Sequence, residues 1–226
     1  MPVPEGDALG EWLVEERRGG AQELHDADPA PGRRRLIVHH VERPALVLGS
    51  TQRVDGAEER AGSVGIEVAR RRSGGGAVLL RPGEQTWVDL VVPAGDPLWD
   101  DDVERATWWL GRAWAGALEE LGLRDVRMHD RGVSDRALGR MACFAALGPG
   151  EVEAGGRKVV GISQRRTRDL IRLQAVVYRR WDPWSLLDLL GPARPPGLEP
   201  ALVERAGALA AQDGWSVVEG LRRHLP

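Results

Sequence analysis

Hydrophobic and polar positions alternate through the middle of the chain and recur with helical spacing towards its end. Residues 1–33 are polar and irregular, with a short helix expected around residues 7–17 and Pro29, Pro31 and Gly32 closing the stretch. Leu36-Ile37-Val38 and Ala45-Leu46-Val47-Leu48 predict two short buried strands on either side of Pro44. A turn at residues 49–52 and a helical segment over 54–61 lead to a strand at Ile66-Glu67-Val68-Ala69. Thr86 to Val92 reads as a further strand. The longest helix is expected over 97–121, where Val103, Ala106, Leu110, Ala113, Ala117 and Leu121 form an apolar stripe that Gly122 ends. Asp100, Asp101, Asp102 and Glu104 crowd its start, which suits the positive end of a helix dipole better than a metal site.

Past that helix, residues 124–128 predict a strand, and the apolar run 141–147 predicts another, ending at Gly148-Pro149-Gly150. Glu151-Val152-Glu153, a turn at 154–156 and residues 157–164 predict a hairpin. Leu170 to Tyr178 alternates, with Ile171, Leu173, Ala175 and Val177 facing inward. From Trp181 the spacing is helical, with a break at 191–200. The chain divides into a lead-in (1–33), a core (34–180) and a helical extension of the same domain (181–226).

With 226 residues, 42% hydrophobic and 29% charged, the composition is that of an ordinary globular chain. A net charge of -3 gives no global pull towards nucleic acid, and no apolar run is long enough for a membrane span. One cysteine rules out an internal disulfide framework and fits a reducing compartment, so a cytoplasmic location is expected.

Thirty arginines accompany a single lysine, Lys158. Where arginine fills the generic cationic positions, a retained lysine marks a place for a compact, rotatable ammonium, unless it is one exposed codon that drifted. Strand alternation puts Lys158 on the side of Val160 and Ile162, with Val159, Gly161 and Ser163 opposite. An ammonium among apolar side chains calls for an anionic or strongly polar ligand. A second stretch, Arg70-Arg71-Arg72-Ser73-Gly74-Gly75-Gly76-Ala77, follows a strand and offers positive charge and close backbone approach to a carboxylate or phosphate, or else forms a solvated hairpin loop. It matches neither the Walker loop nor the dinucleotide glycine spacing. Cys143, 15 residues before Lys158, is either a nucleophile activated by a nearby cation or a small buried hydrophobe between Ala142 and Phe144.

Together these stretches resemble the lipoate–protein ligase and octanoyltransferase group of the biotin/lipoate ligase superfamily. Residues 68–78 look like its Arg-Arg-x-Ser-Gly-Gly-Gly-Ala-Val loop, 156–165 are similar to its Lys-x-x-Gly-x-Ala/Ser-Gln strand, and 44–52 resemble the segment before the loop. The resemblance implies a mixed α+β catalytic domain with a largely antiparallel sheet flanked by helices. It implies attachment of a lipoyl or octanoyl group, from lipoate or octanoate, to a lysine of a lipoyl domain: the E2 component of a 2-oxoacid dehydrogenase or the glycine cleavage H protein. In the ligase branch ATP and Mg2+ yield an acyl-adenylate that Lys158 holds, and Arg70, Arg71, Ser73, Gly74, Gly75, Gly76, Ala77, Gly161 and Ser163 bind substrate and nucleotide.

The sequence departs from the ligase pattern at Leu79-Leu80, where an aromatic-His pair is common, and at Ile171-Arg172-Leu173-Gln174-Ala175, where His-His-Gly is common; an Asn-Asp pair is missing because the chain has no Asn. One octanoyltransferase branch has a Cys-Phe pair ahead of its Gly-Arg-Lys strand, as Cys143-Phe144 stands here. There the cysteine takes the acyl group from acyl carrier protein, with no ATP or other cofactor. The expectation from sequence is the ligase, with the Cys143 transferase as first alternative and a non-catalytic lipoyl-domain or acyl-binding module as second; biotin is disfavoured.

Overall fold

The computed structural model describes residues 11–209 and 213–226. Its strands are β1 (Leu13–Gly19), β2 (Arg35–Val41), β3 (Ala45–Leu48), β4 (Glu67–Arg70), β5 (Val78–Leu80), β6 (Gln85–Pro93), β7 (Val126–Met128), β8 (Val152–Ala154), β9 (Arg157–Arg166) and β10 (Leu170–Tyr178). Its helices are α1 (Ala21–Asp26), α2 (Ala57–Ser63), α3 (Trp108–Glu120), α4 (Arg136–Met141), α5 (Pro183–Leu190), α6 (Leu198–Glu204) and α7 (Gly214–His224). Seven strands form one sheet in the order β1-β2-β6-β10-β9-β8-β7, parallel at β1–β2 and antiparallel at the other pairings. A smaller sheet has the order β4-β3-β5. The mixed α+β fold with a largely antiparallel sheet is the one expected.

The large sheet carries a core on each face. On one side Leu173, Ala175 and Val177 of β10 meet Leu110 and Trp114 of α3 and Val218 and Leu221 of α7. On the other, Trp87 and Tyr178 meet the small sheet and Leu186, Leu190 and Leu202 of α5 and α6. Each buried leucine of this kind contributes about 2 kcal/mol through removal of its surface from water. The second core encloses the site described below.

Three expectations are corrected. The helix over 7–17 is absent from its described part: residues 13–19 form β1, while residues 7–10 lie outside the described residues. Glutamate and arginine favour helices intrinsically, but here β1 pairs with β2, and the diagonal contacts of Glu15 with Arg35 and of Glu16 with His40 across that pair favour the strand. The strand expected over 141–147 is instead the end of α4 followed by a 3-10 turn, Cys143–Ala145. Asp135 starts α4 by accepting from the backbone N–H groups of Ala137 and Leu138. A short apolar run buried on all sides carries no period to separate strand from helix, and Ala142, Phe144 and Ala145 are all buried. The long helix begins at Trp108 rather than near Pro97, after a 3-10 turn at Arg105–Thr107. The acidic run folds into that lead-in, where Asp102 Oδ1 accepts from the N–H groups of Glu104 and Arg105.

Candidate active site

The glycine loop joins β4 to β5, and its own arginine shapes it. Arg71 folds back so that Nη2 donates to the carbonyls of Gly74 and Gly76, both at 2.8 Å. Gly75 has φ of 96°, in the left-handed region. A Cβ on Gly76 would lie 2.5 Å from Ala142 N, so the loop can rest there only on glycine. Hydrogen bonds from Ala77 N to Met141 O and from Cys143 N to Ala77 O, each 3.0 Å, fasten loop and turn together. The two sequence-remote candidates thereby become neighbours.

Lys158 comes to the same place because β9 carries an irregularity. Val152 of β8 pairs with Val160, but the next residue, Glu153, pairs with Lys158, leaving Val159 as the extra residue of a bulge. Strict alternation fails there. Lys158 shares its side with Gly161 and Ser163, contrary to the expected grouping with Val160 and Ile162. The backbone of Lys158 turns to residues 205–207 instead: its N–H donates to Arg205 O and its carbonyl accepts from Gly207 N at 2.8 Å. The buried ammonium donates to the carbonyls of Cys143 (2.6 Å) and Ala146 (2.8 Å) and to the carboxylate of Glu151. It lies 3.7 Å from Cys143 Sγ and 5.2 Å from the centre of the Phe144 ring.

Glu151 is the member of this group that sequence reading missed. Its second oxygen accepts from Ile162 N at 2.9 Å, and Gly148 N donates to the first at 2.7 Å. The bulge that carries Lys158 round to this side concealed the relation. Burial pushes the Cys143 thiol above its ordinary pKa; the Lys158 charge pulls it down, Glu151 pushes it up, and Arg71 pulls it down. Gly161 admits the cysteine, since a Cβ there would lie 2.9 Å from Phe144 Cε2 and 3.2 Å from Cys143 Sγ.

Two cavities meet at Arg71, Cys143, Ile162 and Ser163. The inner one is lined chiefly by Val78, Leu80, Trp87, Phe144 and Val176, with His25 and Gln174 as polar members besides the shared Arg71 and Ser163. The outer, more open one is lined by Gly74, Gly75, Gly76, Lys158, Glu151 and two arginines of α4, Arg136 and Arg140. Of the expected site residues, Arg71, Ser73, Gly74, Gly75, Gly76, Gly161, Ser163, Cys143 and Lys158 are brought together; the hydroxyls of Ser73 and Ser163 are hydrogen-bonded at 2.9 Å. Arg70 is not among them. Its Nη1 donates to the carbonyls of Gly49 (2.8 Å) and Gln52 (2.6 Å), away from both cavities, and Ala77 contributes backbone bonds to the turn rather than a cavity wall. One Arg71 nitrogen, Nη1, is buried with no hydrogen-bond partner among the described residues.

An apolar channel opening onto a cationic chamber, with a lysine and a glycine loop at the junction, fits an acyl group whose carboxyl end meets polar chemistry. The profile of the lipoyl protein ligase A/B catalytic domain matches residues 8–192. This chain belongs to that family. It is therefore an enzyme of the lipoate ligase or transferase type, with a lipoate–protein ligase-like function. No curated protein matches its sequence. Among solved structures, a putative lipoate protein ligase from T. acidophilum with bound lipoic acid has TM-score 0.70 at 19% identity, over 96% of this chain and 84% of that one. A lipoate-protein ligase A bound with ATP has TM-score 0.69 at 20% identity, over 96% and 84%. The bipartite lipoate protein ligase of Thermoplasma acidophilum, studied with its E2 lipoyl domain, has TM-score 0.73 at 17% identity, over 96% and 82%. At these identities the likeness establishes the shared fold. Among the described residues no helix of this family member is long and apolar enough to cross a membrane.

Proposed function

We propose that this chain transfers a lipoyl or octanoyl group through a thioester on Cys143 to a lysine of a lipoyl domain, in preference to the acyl-adenylate route expected from the sequence. The observation that supports this reading is the position of Cys143, at the junction of the two cavities with its Sγ 3.7 Å from Lys158 Nζ. The acyl chain occupies the inner cavity, so its carbonyl carbon reaches the cysteine. Sulfur of Cys143 attacks the carbonyl of a donor thioester, forming one C–S bond as the donor's C–S bond breaks; the donor thiol leaves with the Cys143 proton. Acceptor lysine nitrogen then attacks the acyl-enzyme, the Cys143 C–S bond breaks, and the amine's proton returns to that sulfur. Lys158 stabilises the oxyanion of both steps. An acyl carrier protein suits the donor, an E2 lipoyl domain or a glycine cleavage H protein suits the acceptor, and a free thiol nucleophile suits a reducing cytoplasm.

A specific observation keeps the ligase as second reading: Arg71, Arg136 and Arg140 all line the outer cavity, and a relative of the same fold is bound with ATP. These groups and the open face of Gly74 fit the phosphates of a nucleotide, with Glu104 the carboxylate for magnesium, which needs only one or two beside phosphate and water. Bound ATP would activate the free acid as an acyl-adenylate. Intact-mass spectrometry after mixing with an octanoyl- or lipoyl-carrier thioester separates the two. The transferase gains one acyl mass mapped to Cys143, lost in Cys143→Ser, and Lys158→Arg slows its appearance by about 10²-fold. A Cys143→Ser protein that lipoylates its acceptor at full rate with lipoate, ATP and magnesium would reinstate the ligase.

A further inference from the structure

Two residues that line the inner cavity, Gln174 and His25, are oriented by a chain of buried contacts. Asp89, at the centre of β6, accepts from His39 Nε2 (2.8 Å), Arg172 Nε (2.6 Å) and Trp87 Nε1 (3.0 Å). Burial alone would raise its pKa, but the neighbouring His39 and Arg172 hold this carboxyl well below the usual range, so it only accepts. Gln174 Nε2 lies 3.2 Å from Asp89 Oδ1, and its Oε1 accepts from Ser73 Oγ at 3.3 Å. The amide is thereby fixed: its nitrogen must face the carboxylate, since the reverse orientation would set oxygen against oxygen. That same nitrogen lies 3.4 Å from His25 Nδ1, which must accept.

Desolvation brings the His25 pKa down to about 3, so the ring is neutral at physiological pH. A neutral ring that accepts at Nδ1 carries its proton on Nε2. The ring stacks on Trp87 with centroids 4.5 Å apart, is 5% exposed, and its Nε2 has no hydrogen-bond partner among the described residues. His25 lines the inner cavity only, not the junction at Cys143. A buried N–H without an acceptor is unfavourable, and a saturated chain beside it leaves it so. The dithiolane end of a lipoyl chain offers sulfur lone pairs, weak acceptors where octanoyl offers only methylene and methyl groups.

We propose that the His25 Nε2–H group reads the sulfur-bearing end of the acyl chain and makes the inner cavity selective for lipoyl over octanoyl. The inference rests on the reading that this cavity takes the acyl chain, and it names which chain. Isothermal calorimetry with free lipoate and free octanoate tests it on the full-length protein. The readout is the change in the affinity ratio, because lipoate is also the larger ligand. Replacing His25 by Phe should lower the lipoate-to-octanoate ratio by about three- to tenfold, the factor that one modest hydrogen bond supplies. His25→Gln, which keeps an amide N–H, should restore part of it and guards against misfolding of the Phe variant. A ratio unchanged in both variants, or a wild-type protein that binds neither acid, overturns the proposal. Free acids do not acylate Cys143, so this selectivity can stand where the thioester route fails, and the thioester can form where the selectivity is absent.

Discussion

Glu151 opposes Lys158 in setting the reactivity of Cys143. The thiol is raised above its ordinary pKa of 9.0 by burial, with Glu151 adding to the rise and Lys158 and Arg71 offsetting it. Thiolate therefore accumulates only in alkaline solution, and removing the negative neighbour favours it. In Glu151→Gln the pH profile of Cys143 alkylation by iodoacetamide should move to lower pH, and in Lys158→Ala to higher pH. Profiles that coincide with the wild type in both variants would remove this electrostatic account. Lys158 was legible because it is the one lysine beside thirty arginines. Glu151 was not, because a bulge of a single residue, Val159, sets the side that each member of β9 faces, and no spacing rule anticipates it.

At the scale of elements, close approach between the glycine loop and the 3-10 turn holds the site together. Gly76 and Gly74 are two positions apart, yet a Cβ on the first would meet Ala142 N at 2.5 Å and a Cβ on the second would meet nothing within 4 Å. Gly76→Ala should therefore destabilise the fold by about 1–3 kcal/mol and displace Cys143, whereas Gly74→Ala should melt like the wild type. Thermal unfolding of the pair checks this, and equal melting temperatures would contradict it. The strands around this junction were legible from their apolar runs and flanking turns, as in β3 and β10. The turn that bears Cys143 was not: Met141 to Leu147 is uniformly apolar, and its helical start depends on the Asp135 cap, six residues before the apolar cluster begins.

Across the whole molecule, a polar layer runs through the large sheet and ties the amino-terminal helix to it. Arg172 donates to the carbonyls of Leu24, His25 and Ala27 while bound to Asp89, so α1 is anchored on β10 and β6. Sequence alternation along β10 marked Ile171, Leu173, Ala175 and Val177 as inward, and they are; Arg172 and Gln174 are buried as well, because both faces of the strand are covered. This layer predicts acid sensitivity. His25 has an ordinary pKa of 6.5 and about 3 in the folded protein, so between those values the unfolded chain binds a proton that the folded one refuses. Stability falls as pH drops through that window. Asp89, its pKa lowered by His39 and Arg172, adds a further loss in stronger acid. Melting temperatures measured from pH 7 to pH 4 should fall less steeply in His25→Leu than in the wild type, and equal slopes would contradict the assignment.

The backbone of Lys158 is bridged to residues 205–207, which follow it by nearly fifty positions. On a translating ribosome, Cys143 and the glycine loop leave the exit tunnel well before that clasp is synthesised. Until it arrives, the Lys158 amide and carbonyl lack the partners that Arg205 and Gly207 supply. The backbone at Lys158 is thus completed late in synthesis, whereas the partners of its ammonium, Cys143, Ala146 and Glu151, all precede it in the chain.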